Sequence, residues 1–141
     1  MIFNFRKWFS SKAAADGEQQ LPDAIHIKIV DGVVIATYLE PASAEETRQV
    51  IRYLASTGNY RRRVWDLSQI DFPFTMDELR ELAYYGREVM GEASRIAFVV
   101  KDTVGYGSLR AFSTYREGGN NAKTSVFRSL DEAMQWVQES D

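Results

Sequence analysis

The chain has 141 residues and a formal net charge of -3, from 17 basic and 20 acidic side chains, and it contains no cysteine. This length suits one domain with a single core, and the slight acidic excess argues against a general nucleic-acid binder. The lack of cysteine excludes disulfides, thiolate metal ligands and a cysteine nucleophile, and it fits a cytoplasmic location. No apolar run approaches the roughly 20 residues of a spanning helix, and Arg6 and Lys7 interrupt the start of the chain before a signal-peptide core can form.

An aromatic and basic segment begins the chain, and a small, polar stretch follows it up to Pro22. Its large apolar residues are Ile2, Phe3, Phe5, Trp8 and Phe9, and its basic residues are Arg6, Lys7 and Lys12. We interpret residues 1–22 as an arm and linker, and residues 23–141 as the domain. Because so much apolar surface is costly to leave in water, the arm is expected to dock on its own domain or on a second copy, to enter a protein partner's groove, or to bind an anionic membrane surface on the cytoplasmic side.

The domain is predicted to start with an antiparallel hairpin. Isoleucines alternate with polar residues over Ala24–Val30, and a second apolar run follows at Val33–Tyr38. Between them, Asp31-Gly32 supplies the positive φ angles of a tight hairpin turn. One face of the hairpin should be buried and the other wet. His26, the single histidine, lies on the wet face, away from the loops where a Ser-His-Asp triad would form.

Three short apolar runs, each followed by a helical pattern, make up the remainder. The predicted strands are Arg63–Leu67, Ile96–Val100 and Val126-Phe127. Capping residues mark the helix starts at Ser43, Thr75, Asp102 and Ser129, and glycines mark the ends at Gly58, Gly91 and Gly118-Gly119. The apolar stripe of the second helix is Leu79, Leu82, Ala83, Gly86, Val89 and Met90. In the last helix, Trp136 is expected to be buried against the sheet. The predicted fold is α/β, in the order ββαβαβαβα, with a mixed sheet whose hairpin is antiparallel and whose remainder is parallel.

Three segments carry a resemblance to a known family. They are Val-Trp-Asp-Leu-Ser at 64–68, Arg-Ile-Ala-Phe-Val-Val-Lys-Asp at 95–102 and Val-Phe-Arg-Ser-Leu-Asp-Glu-Ala-Met-Gln-Trp-Val at 126–137. In this succession the chain, from about Asp23 to Glu139, resembles the SpoIIAA-like group of small STAS-related domains, also labelled STAS/SEC14-like. The resemblance implies a single STAS-like domain of the anti-sigma-factor antagonist fold. Its motifs support the fold more than a function. The function favoured by the sequence as a whole is a non-catalytic regulatory or interaction module with a protein partner or a homo-oligomer, without a cofactor or a metal.

Phospho-switched members of the STAS group carry an Asp-Ser pair at the start of the helix after the central strand. Here Phe74 and Thr75 lie where that pair begins, and Met76 lies on or next to the phosphoacceptor position. The pair is absent, which argues against the usual kinase-driven switch. Thr75 is still a hydroxyl at a helix N-terminus, where a phosphate would lie on free amides. Helix capping is the favoured explanation of Thr75, and a regulatory hydroxyl is the alternative.

Two further groups of charged residues stand out. Arg61, Arg62 and Arg63 form a basic run at a strand start, which either contacts an anion or forms a solvated cluster that discourages edge pairing. Asp66 and Asp102 follow neighbouring parallel strands, where two carboxylates could hold Mg²⁺. A strand-end role for Asp66 and a helix cap for Asp102 are the favoured explanations.

The stretch Asp102–Gly107 resembles a phosphate-binding loop, but helix packing explains its glycines more simply.

The alternative to the interaction module is a carrier or sensor of a small apolar, lipid-like ligand. The ligand would lie between the helices Thr75–Met90 and Gly105–Arg116.

Overall fold

The structure is a computed structural model that describes residues 21–91, 93, 95–117 and 123–140, without the side chains of 115–117. The arm residues 1–20 and the predicted helix stop at Gly118-Gly119 lie outside these ranges. Leu21, the first described residue, packs against the main core. Because the arm lies outside the described residues, the division into an arm and linker of residues 1–22 and a domain of residues 23–141 stays a prediction. Within the described ranges, no helix is long and apolar enough to cross a membrane.

The first two strands form the predicted antiparallel hairpin. Strand β1 is Ile25–Val30 and strand β2 is Val33–Tyr38. The turn residues Asp31 and Gly32 have φ angles of 52° and 79°, in the left-handed region that an Asp-Gly hairpin turn requires. The hairpin prediction is therefore confirmed, including its turn.

The remaining strands extend the sheet in chain order. They are β3 (Arg62–Leu67), β4 (Arg95–Val100) and β5 (Lys123–Phe127). The sheet order is β1-β2-β3-β4-β5, and every pair from β2 onward is parallel. Strand β5 starts three residues before its predicted first residue, Val126, because its pairing with β4 already begins at Lys123. The predicted element order and mixed sheet are confirmed.

Three helices cover one face of the sheet. They are α1 (Ala44–Thr57), α2 (Met76–Met90) and α3 (Thr103–Glu117). Ser43 and Thr75 both form reciprocal capping boxes, as their sequence patterns predict. The main core lies between these helices and the sheet, and its largest buried members include Tyr38, Leu54, Leu67, Leu79, Phe98, Leu109 and Phe112.

A single short helix covers the other face. Helix α4 is Leu130–Val137, and the Ser129 hydroxyl accepts a hydrogen bond from the Glu132 amide at its start. The second core beneath it consists of Val33, Ile35, Val64, Ala97, Val99, Ala133 and Val137. Two arginines of the sheet bind carbonyl oxygens at the end of this helix and just after it. Arg62 donates to the carbonyl oxygens of Val137 and Glu139, and Arg95 donates to those of Trp136 and Ser140.

Two predictions of burial need correction. Val89 is 37% exposed, so its assignment to the buried stripe of α2 is wrong. The stripe runs through Leu82, Gly86 and Met90, and Val89 is rotated by about 100° from Met90 around the helix axis. Trp136 is half-buried rather than fully buried, because it packs at the margin of the second core.

Candidate functional site

The loop between β3 and α2 begins with a turn closed by Asp66. One Asp66 carboxylate oxygen accepts hydrogen bonds from the Ser68 amide at 3.0 Å and from the Ser68 hydroxyl at 2.6 Å. Asp66 is buried, so both donors compensate for the loss of its hydration. This carboxylate acts at the strand end, as predicted, and it sets the path of the loop that follows.

Asp102 holds the middle of the same loop against the start of α3. Its Oδ1 atom accepts a hydrogen bond from the Gly105 amide, which is the predicted helix cap, and its Oδ2 atom accepts one from the Phe72 amide at 3.3 Å. Gly105 has no room for a side chain, because a Cβ there would lie 2.8 Å from Phe72 Cβ and 2.8 Å from Asp102 Oδ1. Close packing thus accounts for this glycine.

The two aspartates therefore have separate structural partners within the protein. In the part of the chain that the structure describes, there is no group of three or more histidine, cysteine or acidic residues that could hold a metal ion. His26 is exposed on β1, an edge strand, and its register partner is Thr37. Thr37 in turn pairs with Asp66, so His26 lies two strands from Asp66 at the same end of the sheet. The expectation that His26 lies away from the loops after the parallel strands is therefore wrong, because the antiparallel hairpin brings the start of β1 to their carboxyl ends.

The loop ends at Thr75, which caps α2. The Thr75 hydroxyl accepts a hydrogen bond from the Glu78 amide at 3.1 Å, and the Glu78 carboxylate accepts one from the Thr75 amide at 2.9 Å. Thr75 is exposed. The structure thus places a solvent-accessible hydroxyl at the N-terminus of a 15-residue helix, where the amides and the helix dipole favour negative charge.

Aromatic rings connect this loop to the core. The rings of Phe72 and Phe74 meet edge to face with centroids 5.9 Å apart, and Phe74 meets Tyr38 edge to face at 6.3 Å. The buried Tyr38 hydroxyl lies 2.7 Å from the Thr47 hydroxyl. Burial raises the pKa of Tyr38 above its ordinary value, because the phenolate would lose its hydration.

Beneath these rings lies an apolar cavity of about 80 Å³. It extends between α2 and the sheet, and α1 and α3 close its sides. Its lining residues are Tyr38, Thr47, Ile51, Arg63, Trp65, Leu67, Phe72, Phe74, Leu79, Leu82, Ala83, Gly86, Met90, Ile96, Phe98, Leu109 and Phe112. The sequence predicts an apolar ligand between α2 and α3. Residues of both helices line this cavity, but it lies between α2 and the sheet, and the ligand stays a prediction.

The basic run Arg61–Arg63 does not form one surface. Arg61 is exposed, whereas Arg62 is half-buried and binds the end of α4. Arg63 is buried on the opposite face, where it donates to the carbonyl oxygens of Tyr60 at 2.7 Å and Gly91 at 3.5 Å. An anion contact stays a prediction for this run, and two of its three guanidinium groups have carbonyl partners inside the protein.

Sequence patterns predict part of this site. The cap at Thr75 and the cap at Asp102 follow from local signals, whereas the aromatic rim of Phe72 and Phe74 and the half-buried position of Trp65 do not. One signal for the cavity is present in the sequence, because Gly86 falls inside the predicted apolar stripe of α2. The arm residues predicted to contact a membrane or partner, Phe3, Phe5, Arg6, Lys7, Trp8 and Phe9, lie outside the described residues.

Comparison with solved structures identifies the fold. The chain is similar to the crystal structure of an anti-sigma factor antagonist from Mycobacterium paratuberculosis, with a TM-score of 0.60 and 18% identity over 82% of this chain and 93% of that one. It is also similar to an uncharacterised DUF3478-family protein with a SpoIIAA-like fold from Shewanella loihica PV-4, with a TM-score of 0.58 and 15% identity over 81% and 92% of the two chains. No protein-family model and no curated protein sequence matches the chain. The structural similarity confirms the predicted SpoIIAA-like fold.

Proposed function

On this SpoIIAA-like fold, we propose that the protein is a non-catalytic regulatory module that binds a protein partner in the cytoplasm. The observation that carries the proposal is the exposed Thr75 hydroxyl at the N-terminus of α2. Phospho-switched STAS proteins carry their Asp-Ser pair at this point of the fold, and in this chain, where the pair is absent, Thr75 is the hydroxyl that remains there. The name of the Mycobacterium paratuberculosis protein, an anti-sigma factor antagonist, supports a role in protein regulation.

The surface formed by the loop that leads to Thr75 and by the first turn of α3 has the composition of a small interaction site. Lys101 Nζ lies 3.5 Å from Asp71 Oδ1, and this pair is solvent-exposed. Val104, in the first turn of α3, is 76% exposed. The hydrogen bond from the Phe72 amide to Asp102 holds that turn beside the loop. An exposed apolar residue with charged neighbours fits the apolar centre and polar rim of a transient interface.

The structural hydrogen bonds of the two carboxylates at the strand ends support a non-catalytic role. Both Asp66 and Asp102 accept hydrogen bonds from groups of the protein, and these bonds close a turn and cap a helix. A general acid or base has to reach a substrate atom, so a carboxylate that orders a turn or a helix start is poorly suited to that task.

Affinity capture from lysate of the native host tests the interaction module. The full-length protein should retain a specific partner, and Val104→Glu should release it because a charge would be buried at the centre of the contact. Glu88→Lys, at the other end of α2, is the matched control and should leave capture unchanged. Equal capture by both variants and the unmodified protein would contradict an interface at Thr75 and Val104.

Phosphorylation of Thr75 is a finer part of the proposal. A phosphate on this side chain would add negative charge next to the free amides of α2. The intact mass of protein purified from its native host, followed by peptide mapping, tests this directly. A phosphate on the peptide that contains Thr75 would support the regulatory hydroxyl, which is the alternative to helix capping. Its absence under all growth conditions would leave capping as the role of this residue.

Recruitment by the arm, residues 1–22, is a second finer part. Arg6, Lys7 and Lys12 each contribute about 1 kcal/mol near an anionic surface, whereas partial burial of the aromatic side chains is largely offset by backbone ordering. Attachment should therefore be weak, reversible and weakened by salt. Trp8→Glu should abolish co-sedimentation of the full chain with phosphatidylserine-containing vesicles at low salt. If the unmodified chain ignores these vesicles, a protein partner or a second copy of the chain becomes the target of the arm.

A carrier or sensor of a small apolar ligand is a second candidate function. The specific observation in its favour is the apolar cavity of about 80 Å³ between α2 and the sheet. Mass spectrometry of protein purified under mild conditions tests it, and a retained apolar molecule would support it. Protein that releases no such molecule on denaturation would contradict it.

A further inference from the structure

We infer that the cavity beneath α2 is a binding site for a small, uncharged apolar molecule that is much smaller than a lipid. This inference rests on the second candidate function and deepens it, because it assigns the size and the chemistry of the occupant. Four features of the described residues support the inference. They are the empty space at a buried glycine, the partial solvent exposure of a tryptophan in the lining, the hydrogen bonds of the polar lining residues, and the cavity volume.

The face of α2 above the cavity leaves space unfilled. Gly86 is buried, yet a Cβ atom built on it would meet no neighbouring heavy atom within 4 Å. Gly105 shows the opposite situation, with neighbours at 2.8 Å. A buried glycine normally allows close approach of another element. At Gly86 no element makes that approach, so the space remains available to a ligand.

The helices that cover this face of the sheet leave part of Trp65 exposed to solvent. This residue lies in β3, the middle strand of the sheet, and its side chain packs toward the main core. Its strand neighbours Val64 and Leu67 are 0% and 3% exposed, whereas Trp65 is only half-buried. Because a large side chain at the centre of the sheet keeps contact with solvent, the cavity has an opening through which a small molecule can enter.

Three polar lining residues, Tyr38, Thr47 and Arg63, are already paired with one another or with the backbone. Tyr38 and Thr47 share a hydrogen bond of 2.7 Å. Arg63, the one charged residue among those that line the cavity, donates to the carbonyl oxygens of Tyr60 and Gly91. An occupant therefore meets apolar contacts, and a charged molecule would lose its hydration without replacement.

The volume sets the size of the occupant. An apolar cavity of about 150 Å³ binds benzene or xenon, and pockets for drug-sized ligands span about 300–1,000 Å³. A cavity of about 80 Å³ therefore suits an occupant no larger than a small ring. A complete lipid molecule does not fit, so the site refines the lipid-like ligand expected from the sequence to a small apolar molecule.

The same occupant would also contact the loop that leads to Thr75. Phe72 and Phe74 belong both to the cavity lining and to the edge-to-face ring contacts of that loop. A molecule in the cavity restricts these rings. We therefore expect binding to slow hydrogen exchange of the loop amides between Phe72 and Thr75, which gives a second readout apart from the cavity itself.

Xenon is the probe for the experiment, with the full-length protein and methyl-resolved NMR under increasing xenon pressure. We expect saturable shifts for methyl groups of the lining, such as those of Leu82 and Leu109. Gly86→Val fills the cavity and should weaken xenon binding at least about tenfold. Gly107→Val is the matched control, because Gly107 is exposed in α3 with no neighbour within 4 Å of its Cβ position, and it should bind as the unmodified protein does.

The possible results of the xenon experiment distinguish failure of the cavity site from failure of the proposed functions. Shifts that do not saturate, or that persist unchanged in Gly86→Val, would overturn the site. If Gly86→Val fails to fold, Gly86→Ala replaces it, and its smaller side chain should still weaken binding relative to Gly107→Ala. Saturable xenon binding to a protein that retains no apolar molecule from its host would support the site and count against the carrier function. Partner capture through Val104 is measured independently of both.

Discussion

The guanidinium carbon of Arg95 lies 4.6 Å from the centroid of the Trp136 ring, and Arg95 Nη1 also donates a 3.0 Å hydrogen bond to the Trp136 carbonyl oxygen. One residue of α4 thus holds a buried cation with its ring and with its backbone. The ring of Trp136 also packs against Phe127, with centroids 5.7 Å apart. These contacts attach α4 to both β4 and β5 through a single side chain.

Truncation of this side chain should therefore loosen α4. We expect Trp136→Ala to lower the free energy of unfolding by about 3 kcal/mol, at the lower end of the range for large aromatic residues because Trp136 is half-buried. Urea unfolding followed by circular dichroism measures the loss. Trp136→Phe keeps a ring over Arg95 and should recover much of it. An unchanged midpoint for Trp136→Ala would show that the ring contributes nothing to stability.

Burial of Tyr38 predicts a loss of stability at alkaline pH. The pKa of Tyr38 is raised in the folded state above its ordinary value of 10.0, so the folded state holds this proton more tightly than the unfolded state. Stability from this group is complete below pH 10 and falls as the pH rises above it, by up to about 1.4 kcal/mol per pH unit.

The variant Tyr38→Phe isolates this effect. It removes the titrating hydroxyl and its hydrogen bond to Thr47, so it should be less stable near neutral pH and its stability should fall less steeply above pH 10. Chemical unfolding at several pH values between neutrality and pH 11 compares the two proteins. Parallel curves for the two proteins would contradict a role for Tyr38 in the alkaline transition.

Loss of the Asp102 carboxylate should affect two elements together. Asp102→Ala removes the cap of α3 and the acceptor of the Phe72 amide, and we expect it to cost about 2 kcal/mol of stability. Hydrogen exchange should accelerate both in the first turn of α3 and at Phe72. Asp77→Ala is the control, because it removes an exposed pair with Arg80 and a first-turn charge of α2 and should cost less than about 1 kcal/mol. Faster exchange in α3 alone would show that the loop holds its position without Asp102.

The cap at Thr75 should be separable from any regulatory role. Thr75→Ala removes the acceptor for the Glu78 amide and should destabilise the protein by about 1 kcal/mol, whereas Thr75→Ser should be nearly neutral because it restores the acceptor. Thermal unfolding of the three proteins measures this. If Thr75→Ser is as destabilised as Thr75→Ala, the methyl group of Thr75 contributes more than its hydroxyl.

Most of the fold could be predicted because its signals are local. The turn at Asp31-Gly32 and the capping boxes at Ser43 and Thr75 each depend on residues within a few positions of one another. The roles of Arg62 and Arg95 could not be predicted in this way. Their carbonyl partners in and after α4 lie 41 to 77 residues further along the chain, and no local pattern records such a contact.

In the candidate site, too, the features with local sequence signals could be predicted and those that depend on distant residues could not. The sequence pattern identified Thr75 as a helix cap and placed Gly86 in the stripe of α2. Whether a glycine in a buried stripe brings two elements together or leaves a space depends on how far the helix stands from the sheet. That distance depends on side chains outside the helix as well, and Trp65 and Phe98 of the strands line the same cavity.

The position of α4 has a consequence for synthesis of the protein. The helix follows every strand that it covers, so while the ribosome is still adding residues before Leu130, the nascent sheet has helices for one face only. Valines of the other face, such as Val64 and Val99, remain open to water and to neighbouring chains during this interval. A chain that stops before Leu130 would keep that apolar strip uncovered, and chaperones that bind exposed apolar segments would be expected to hold it.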